Sequence, residues 1–306
     1  MFRTSPGRRA ILGLAVAAAL ATSVAACGSE SGDGTGTGAA PAASASGGSG
    51  GVDAALAAKV PADIKSAGKL TIGTDSTYAP SEFLDADGKT VIGFDVDLFN
   101  AVAAKLGLTT DWQSADFTGI IPGVNSGKYN VGVSSFTINA EREKQVTMIS
   151  YFSAGTQWAA KAGSTITPDT ACGKKIAVQT GTVQVDDITK RNKACTSGKI
   201  TIDQYQKQSD ATNAVVTGKD DAMLADSPVA AYAVKQTSGQ LALIGDIYDS
   251  APYGYAVGKT QTDFADAISG AVQALIADGT YKQILDKWGV SAGAITAPAV
   301  NPPATS

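Results

Sequence analysis

From residue 62 to about residue 290 the sequence alternates compact apolar runs with stretches of helical period, and this alternation limits the fold more than any other feature. The run "KLTIGTD" (69–75) predicts a buried strand. In the following "TVIGFDVDLFNAVAAKLGL", Phe99, Val102, Ala103 and Leu106 fall on one helical face. Asp95 and Asp97 sit near the positive end of that helix, and Gly107 stands where a helix stops. A shorter helix over 117–127 and a strand over 129–136 follow. The pattern restarts at Lys174. Strands over 174–180, 199–205 and 220–226 are separated by helical segments, one opened by Gly181 and one capped by Ser209. Pro228 suits the first turn of a further helix. Strands in "LALIG" and "YGYAVGK" then lead to two closing helices. Such alternation predicts an α/β protein with largely parallel sheets. In open α/β sheets ligands bind beyond the carboxyl ends of strands. That rule singles out Asp75–Tyr78, Ser134–Arg142, Thr180–Val183 and Asp226.

The chain before residue 62 reads differently. "MFRTSPGRRA" is a basic n-region and "ILGLAVAAALATSVAA" an apolar h-region, the pattern of an export signal over 1–26. It ends in "VAAC", which resembles a lipobox and makes Cys27 the expected lipidation site and membrane anchor. The Arg8-Arg9 pair leaves both the general secretory and the twin-arginine route open. Residues 27–61 are expected to be a flexible linker, because 28–51 is rich in glycine and has no large apolar side chain. Cys172 and Cys195 remain. An even pair outside the cell predicts a disulfide, worth on the order of 3 kcal/mol by the loop-closure estimate.

Composition removes several function classes. Histidine is absent, which excludes His-based triads, His metal sites and the usual neutral-pH proton shuttle. No metal site or cofactor is expected. The formal charge is −4 and the pI about 4.9, so nucleic acid is not an expected partner. Only five arginines occur, and three of them, Arg3, Arg8 and Arg9, fall in the export signal.

Arg142 therefore stands out, and its planar fork of donors matches a carboxylate. Ser135 and Thr137 offer hydroxyls nearby. Gly181 and Thr182 open a helix, where unpaired N–H groups favour an anion. Asp226 offers a carboxylate for an ammonium, and Tyr78 and Phe117 offer flat apolar surfaces. Brought into one cleft, these groups would hold a zwitterion. Taken singly, each has a plainer reading. Arg142 lies between Glu141 and Glu143, as a solvated surface arginine would, Asp226 can cap a helix, and the rings can be core.

The segments "IGTDSTYAP" (72–80), "GFDVDLFNAVAAKLG" (93–107), "ADFTGIIPGVNSGKYNVGVSSFTINAER" (115–142), "AVQTGT" (177–182), "DDAMLADSPVAAY" (220–232) and "GTYKQILDKWG" (279–289) resemble, in order and spacing, the family 3 extracellular solute-binding proteins, the polar amino-acid receptors of ABC importers. The resemblance implies a periplasmic-binding-protein-like fold, two Rossmann-like lobes joined by two hinge strands. Lobe 1 would comprise 62–158 and 254–290 and lobe 2 residues 159–253; residues 291–306 are rich in proline and alanine and are expected to be a loose tail. The crossings are expected near 157–163 and 250–258. The resemblance places the ligand carboxylate on Arg142 and Thr137 and its amino group on Asp226; Ser135 and Thr182, beside them, are expected to join the carboxylate site. The ligand side chain would meet Asp75, Tyr78, Phe117 and Glu82. Val183 stands where many relatives have a Ser or Thr, which removes one hydroxyl contact. With acids but no surplus cation in these segments, a basic or neutral-polar amino acid is the expected ligand. A monomeric receptor that delivers to a membrane permease is expected, rather than an enzyme. The alternatives are an exported cyclohexadienyl or arogenate dehydratase on the same scaffold, and the sensing domain of a membrane receptor.

Overall fold

The computed structural model describes residues 51–303; the expected export signal, the expected lipidation site Cys27 and most of the expected linker lie outside the described residues. In chain order the elements are α1 (Ala54–Ala58), α2 (Ala62–Ala67), β1 (Lys69–Thr74), β2 (Thr77–Tyr78), β3 (Glu82–Leu84), β4 (Val91–Ile92), α3 (Phe94–Lys105), β5 (Thr109–Ser114), α4 (Phe117–Asn125), β6 (Val131–Thr137), α5 (Ala140–Gln145), β7 (Val146–Lys161), β8 (Lys175–Gln179), α6 (Val183–Ala194), β9 (Thr201–Tyr205), α7 (Gln208–Thr217), β10 (Ala222–Asp226), α8 (Ser227–Gln236), β11 (Leu241–Gly258), α9 (Thr262–Ala277) and α10 (Thr280–Trp288). An eight-stranded sheet runs through both lobes in the order β5-β1-β6-β11-β7-β10-β8-β9, and β2, β3 and β4 form a small sheet of their own.

In lobe 1, β1 pairs in parallel with β5 and β6; in lobe 2, β8 pairs in parallel with β9 and β10. Strands of this kind are covered on both faces and read as continuous apolar runs. The lobe 1 core joins Leu70, Ile72 and Val131 of the sheet to Phe94, Leu98 and Phe99 of α3 and Phe264, Ile268 and Val272 of α9. Lobe 2 has one core on each face of its strands, around Trp158, Ile176 and Ile188 and around Met223, Ala230 and Val215. Cys172 and Cys195 are disulfide-bonded, with Cα atoms 5.6 Å apart, and they pack at the edge of the first of these.

The two connections are the long antiparallel strands β7 and β11, 16 and 18 residues. Their pairing is regular from Val146 to Phe152 except for one shift near Gly254, and again from Trp158 to Lys161. Between these runs the register shifts twice, between Ile244 and Tyr248 and between Tyr248 and Ala251. Thr156 already pairs with Asp226 of lobe 2. The crossings therefore fall near Ala154–Thr156 and Tyr248–Ala251, a few residues before the first expected boundary and at the start of the second. In β7 the break coincides with Ser153-Ala154-Gly155-Thr156-Gln157, a small and polar interruption between two apolar runs.

Two expected boundaries change. Ordered structure begins before residue 62. Asp53 caps α1 by accepting hydrogen bonds from the backbone of Ala55 and Leu56, and its own N–H donates to the Lys105 carbonyl. Leu56 then packs on the lobe 1 core over Gly270. The tail after residue 290 is not loose over its described part. Ala299 and Asn301 exchange hydrogen bonds with Met148 and Ser150, and Val300 bridges Ile149. The reason is physical: β10 covers β7 only from Thr156 onward, so the lobe 1 half of this edge needs partners for its buried backbone groups. Ser209 is not the cap of α7, which starts at Gln208 after Lys207.

Candidate functional site

The carboxyl ends of β1, β6, β8 and β10 converge where the lobes meet. Tyr78, Phe117, Ser134, Ser135, Thr137 and Arg142 from lobe 1 and Thr182, Val183, Gln184 and Asp226 from lobe 2 enclose a cavity of ≈ 10 Å³. That is room for about one water. The walls are bonded to each other across it. The Tyr78 hydroxyl donates to Asp226 Oδ2 at 2.7 Å, and Arg142 donates to the carbonyl of Gly181 at 3.1 Å. Just outside, Gln179 donates to Asp75 Oδ2 at 2.7 Å.

Arg142 lies in the middle turn of the short α5, whose cap Asn139 accepts from the Arg142 backbone N–H. Its guanidinium is buried over the stacked rings of Phe117 and Phe136 and donates to the Thr137 carbonyl at 2.7 Å. Burial lowers its pKa to about 10, against the pull of Asp226. A cation remains at neutral pH. Asp226 is buried at the end of β10, and burial raises its pKa while Tyr78 and Gln184 hold it down. A buried guanidinium and a buried carboxylate thus face one cavity from opposite lobes, and each is left with neutral hydrogen-bond partners.

Ser135 adopts φ 47°, the left-handed region that a side chain normally avoids. There β6 carries more residues than its partner between Gly132 and Phe136, a bulge that re-aims the strand end. The Ser135 N–H and hydroxyl both donate to Asp95 Oδ2, so its polar groups point away from the cavity it lines. The Thr182 hydroxyl is likewise turned back onto the Gln179 carbonyl. Thr182 caps α6 without a side-chain bond, its carbonyl accepting from the Val185 N–H at 3.2 Å, and its side chain leaves the Val183 and Gln184 N–H groups uncovered.

Asp75 is buried at the end of β1 and held by Thr77, Gln179 and the backbone of Phe117; burial raises its pKa despite them. It stands behind the lining, one layer from the cavity. Glu82 is also in that layer and fully buried, accepting from the Ser134 hydroxyl at 2.8 Å. The structure therefore brings Arg142, Thr137, Ser135, Thr182, Asp226, Tyr78 and Phe117 around one cavity and sets Asp75 and Glu82 behind it. Sequence reasoning missed Gln184, which donates to Asp226 Oδ1 and Thr156, and Gln179. A glutamine at the carboxyl end of an apolar strand is the signal that identifies Gln179; Gln184 has none. Among the described residues no group of His, Cys, Asp and Glu is arranged to hold a metal ion, and no helix is long and apolar enough to cross a membrane.

The sequence profile of bacterial extracellular solute-binding proteins, family 3, matches residues 70–291. The chain belongs to this family. The arginine-binding protein ArgT of Corynebacterium glutamicum is 37% identical over 252 residues, which cover 80% of this chain and 82% of that protein. Among solved structures, an ancestral arginine-binding protein bound to arginine superposes with a TM-score of 0.68 at 35% identity, covering 72% of this chain and 98% of the other. The ancestral amino acid-binding protein AncCDT-1, a precursor of cyclohexadienyl dehydratase, gives 0.68 at 31% identity over 74% of this chain and 97% of that one. The fold is accordingly the two-lobed binding-protein fold of the family.

Proposed function

We propose that this chain is the substrate-binding component of an ABC importer and that it binds a basic amino acid, with L-arginine the first candidate. One observation carries the reading: Arg142 and Asp226, buried and opposite in charge, face a single cavity from the two lobes. The α-carboxylate of an amino acid would replace the Gly181 carbonyl on Arg142, and its ammonium would replace the Tyr78 hydroxyl on Asp226. Each exchange turns a neutral partner into an ionic one, and hydrogen bonds to charged groups contribute about 1.5–3 kcal/mol each. Thr137 and the first-turn N–H groups of α6 complete the carboxylate site. Tyr78 and Phe117 flank the side chain, and Asp75 behind them offers a cationic side chain its counter-charge. Lipid attachment at Cys27 would keep the receptor at the outer membrane face near its permease.

The names of the arginine-binding relatives support the ligand, and the charge of the walls supports it independently. Among the described residues, Arg142 is the one cation that lines the cavity. The dehydratase reading is weaker. Asp226 is the one carboxylate of the lining, and Tyr78 and Gln184 occupy it. Calorimetric titration with the common amino acids is the test. L-arginine is expected to bind most tightly and L-glutamate and L-aspartate least. Absence of binding by every amino acid contradicts the reading.

A further inference from the structure

Behind the cavity, Glu82 of β3 and Asp95 of α3 form a buried carboxyl pair. Both side chains are fully buried, and Glu82 Oε2 and Asp95 Oδ1 have no hydrogen-bond partner among the described residues, so each acid has one buried oxygen left for a proton shared between the two. Their remaining oxygens are organised. Ser134 donates to Glu82 Oε1 at 2.8 Å, and the Ser134 oxygen accepts from the Asp75 backbone N–H at 3.0 Å. Asp95 Oδ2 accepts from Tyr151 at 2.5 Å and from both the N–H and the hydroxyl of Ser135 at 3.1 and 3.2 Å. Every donor on Asp95 Oδ2 is aimed at a carboxylate, and two of them hold Ser135 in its left-handed conformation. Two residues further on, Thr137 meets Arg142.

Resting on the amino-acid reading of the cavity, we propose that Asp95 is a positioning residue for the carboxylate clamp and that the proton it shares with Glu82 makes ligand affinity depend on pH. With Asp95 ionised, Ser135 is held and the end of β6 presents Thr137 to Arg142. When Asp95 takes up a second proton for the pair, Oδ2 loses its charge, the left-handed Ser135 loses what stabilises it, and the clamp loosens. The titratable groups around the pair are Asp75, Tyr78, Tyr151, Tyr255 and Tyr281. All are acids or neutral phenols. The cations of the adjoining helices, Lys105, Lys282 and Lys287, are paired with Asp278, Asp286 and Asp97. Burial raises Asp95 to about 6, and burial together with Asp95 raises Glu82 well above its ordinary range. The stability sign runs opposite to the affinity sign. A raised acid costs stability as pH climbs from its unfolded value through about 6, so the ionised form that holds the clamp is the less stable one. The absence of histidine makes the effect legible, since no ordinary side chain of this protein titrates between about pH 5 and 8.

The test is the dissociation constant of L-arginine measured from pH 8 to pH 5 on wild type, Asp95→Asn and Tyr151→Phe. Wild type is expected to bind with constant affinity above neutrality and to weaken below a midpoint near 6, by up to about tenfold per pH unit, the limit for one proton. Asp95→Asn is expected to abolish the inflection. Tyr151→Phe, which removes a donor to the carboxylate, is expected to move the midpoint upward and keeps the test sound if Asp95→Asn does not fold. Binding without an inflection, or an inflection that survives in Asp95→Asn or is unmoved in Tyr151→Phe, overturns the proposal alone. No binding of any amino acid at any pH overturns the amino-acid reading and the proposal with it.

Discussion

At the scale of single residues, Arg142 is the position on which the account turns. Its guanidinium is buried over two rings and bonded only to carbonyls, so it is fixed before any ligand arrives. Replacing it leaves a carboxylate in a closed cleft without its partner, which costs about 3–5 kcal/mol. Arg142→Ala is accordingly expected to weaken L-arginine binding by at least a hundredfold in a calorimetric titration while thermal unfolding of the free protein changes little. The sequence pointed to this residue because arginine is scarce in the chain and because the surrounding segment resembles a known pattern. It did not reveal the second layer. Glu82 and Asp95 lie in separate segments, and only the placement of the small β2-β3-β4 sheet against α3 buries them together. Asp95 looked like an ordinary acid in the first turn of a helix, a role its position on α3 also fills.

At the scale of elements, the alternating pattern located the short buried strands and the helices between them, because those depend on local apolar period. The long hinge strands were less legible. The apolar pattern gives one strand ending at Gly245 and another starting at Tyr253, yet the residues between belong to the continuous β11, exposed where it crosses between lobes. The tail was misread for a related reason. Its proline- and alanine-rich composition argues against a core, but pairing to the open edge of β7 needs backbone groups rather than side chains. Deleting residues 294–306 removes the hydrogen bonds of Ala299 and Asn301 to Met148 and Ser150 and uncovers Ile149. With a net contribution of about 0.5–1.5 kcal/mol for each of these four hydrogen bonds, urea unfolding is expected to show a loss of about 2–6 kcal/mol. An unchanged midpoint would mean the strap adds nothing to lobe 1.

At the scale of the whole molecule, the two lobes meet through bonds that an amino acid can take over. Tyr78 with Asp226 and Arg142 with Gly181 join groups that the ligand would separate and occupy. Asp75 with Gln179 and Thr77 with the Gln208 N–H close the rim and need not break. Neutral or singly charged bonds across the cleft are thus exchanged for fully ionic ones, and the exchange favours the liganded molecule. The central claim is that Arg142 holds the carboxylate of an amino acid whose ammonium lies on Asp226. Agmatine is arginine without that carboxylate, with the same guanidinium and amine. The decisive measurement is therefore a parallel calorimetric titration of the protein with L-arginine and with agmatine at pH 7.5. The account predicts that L-arginine binds and that agmatine binds at least about a hundredfold more weakly, the loss expected for one buried charged pair. Equal affinity for the two would contradict it.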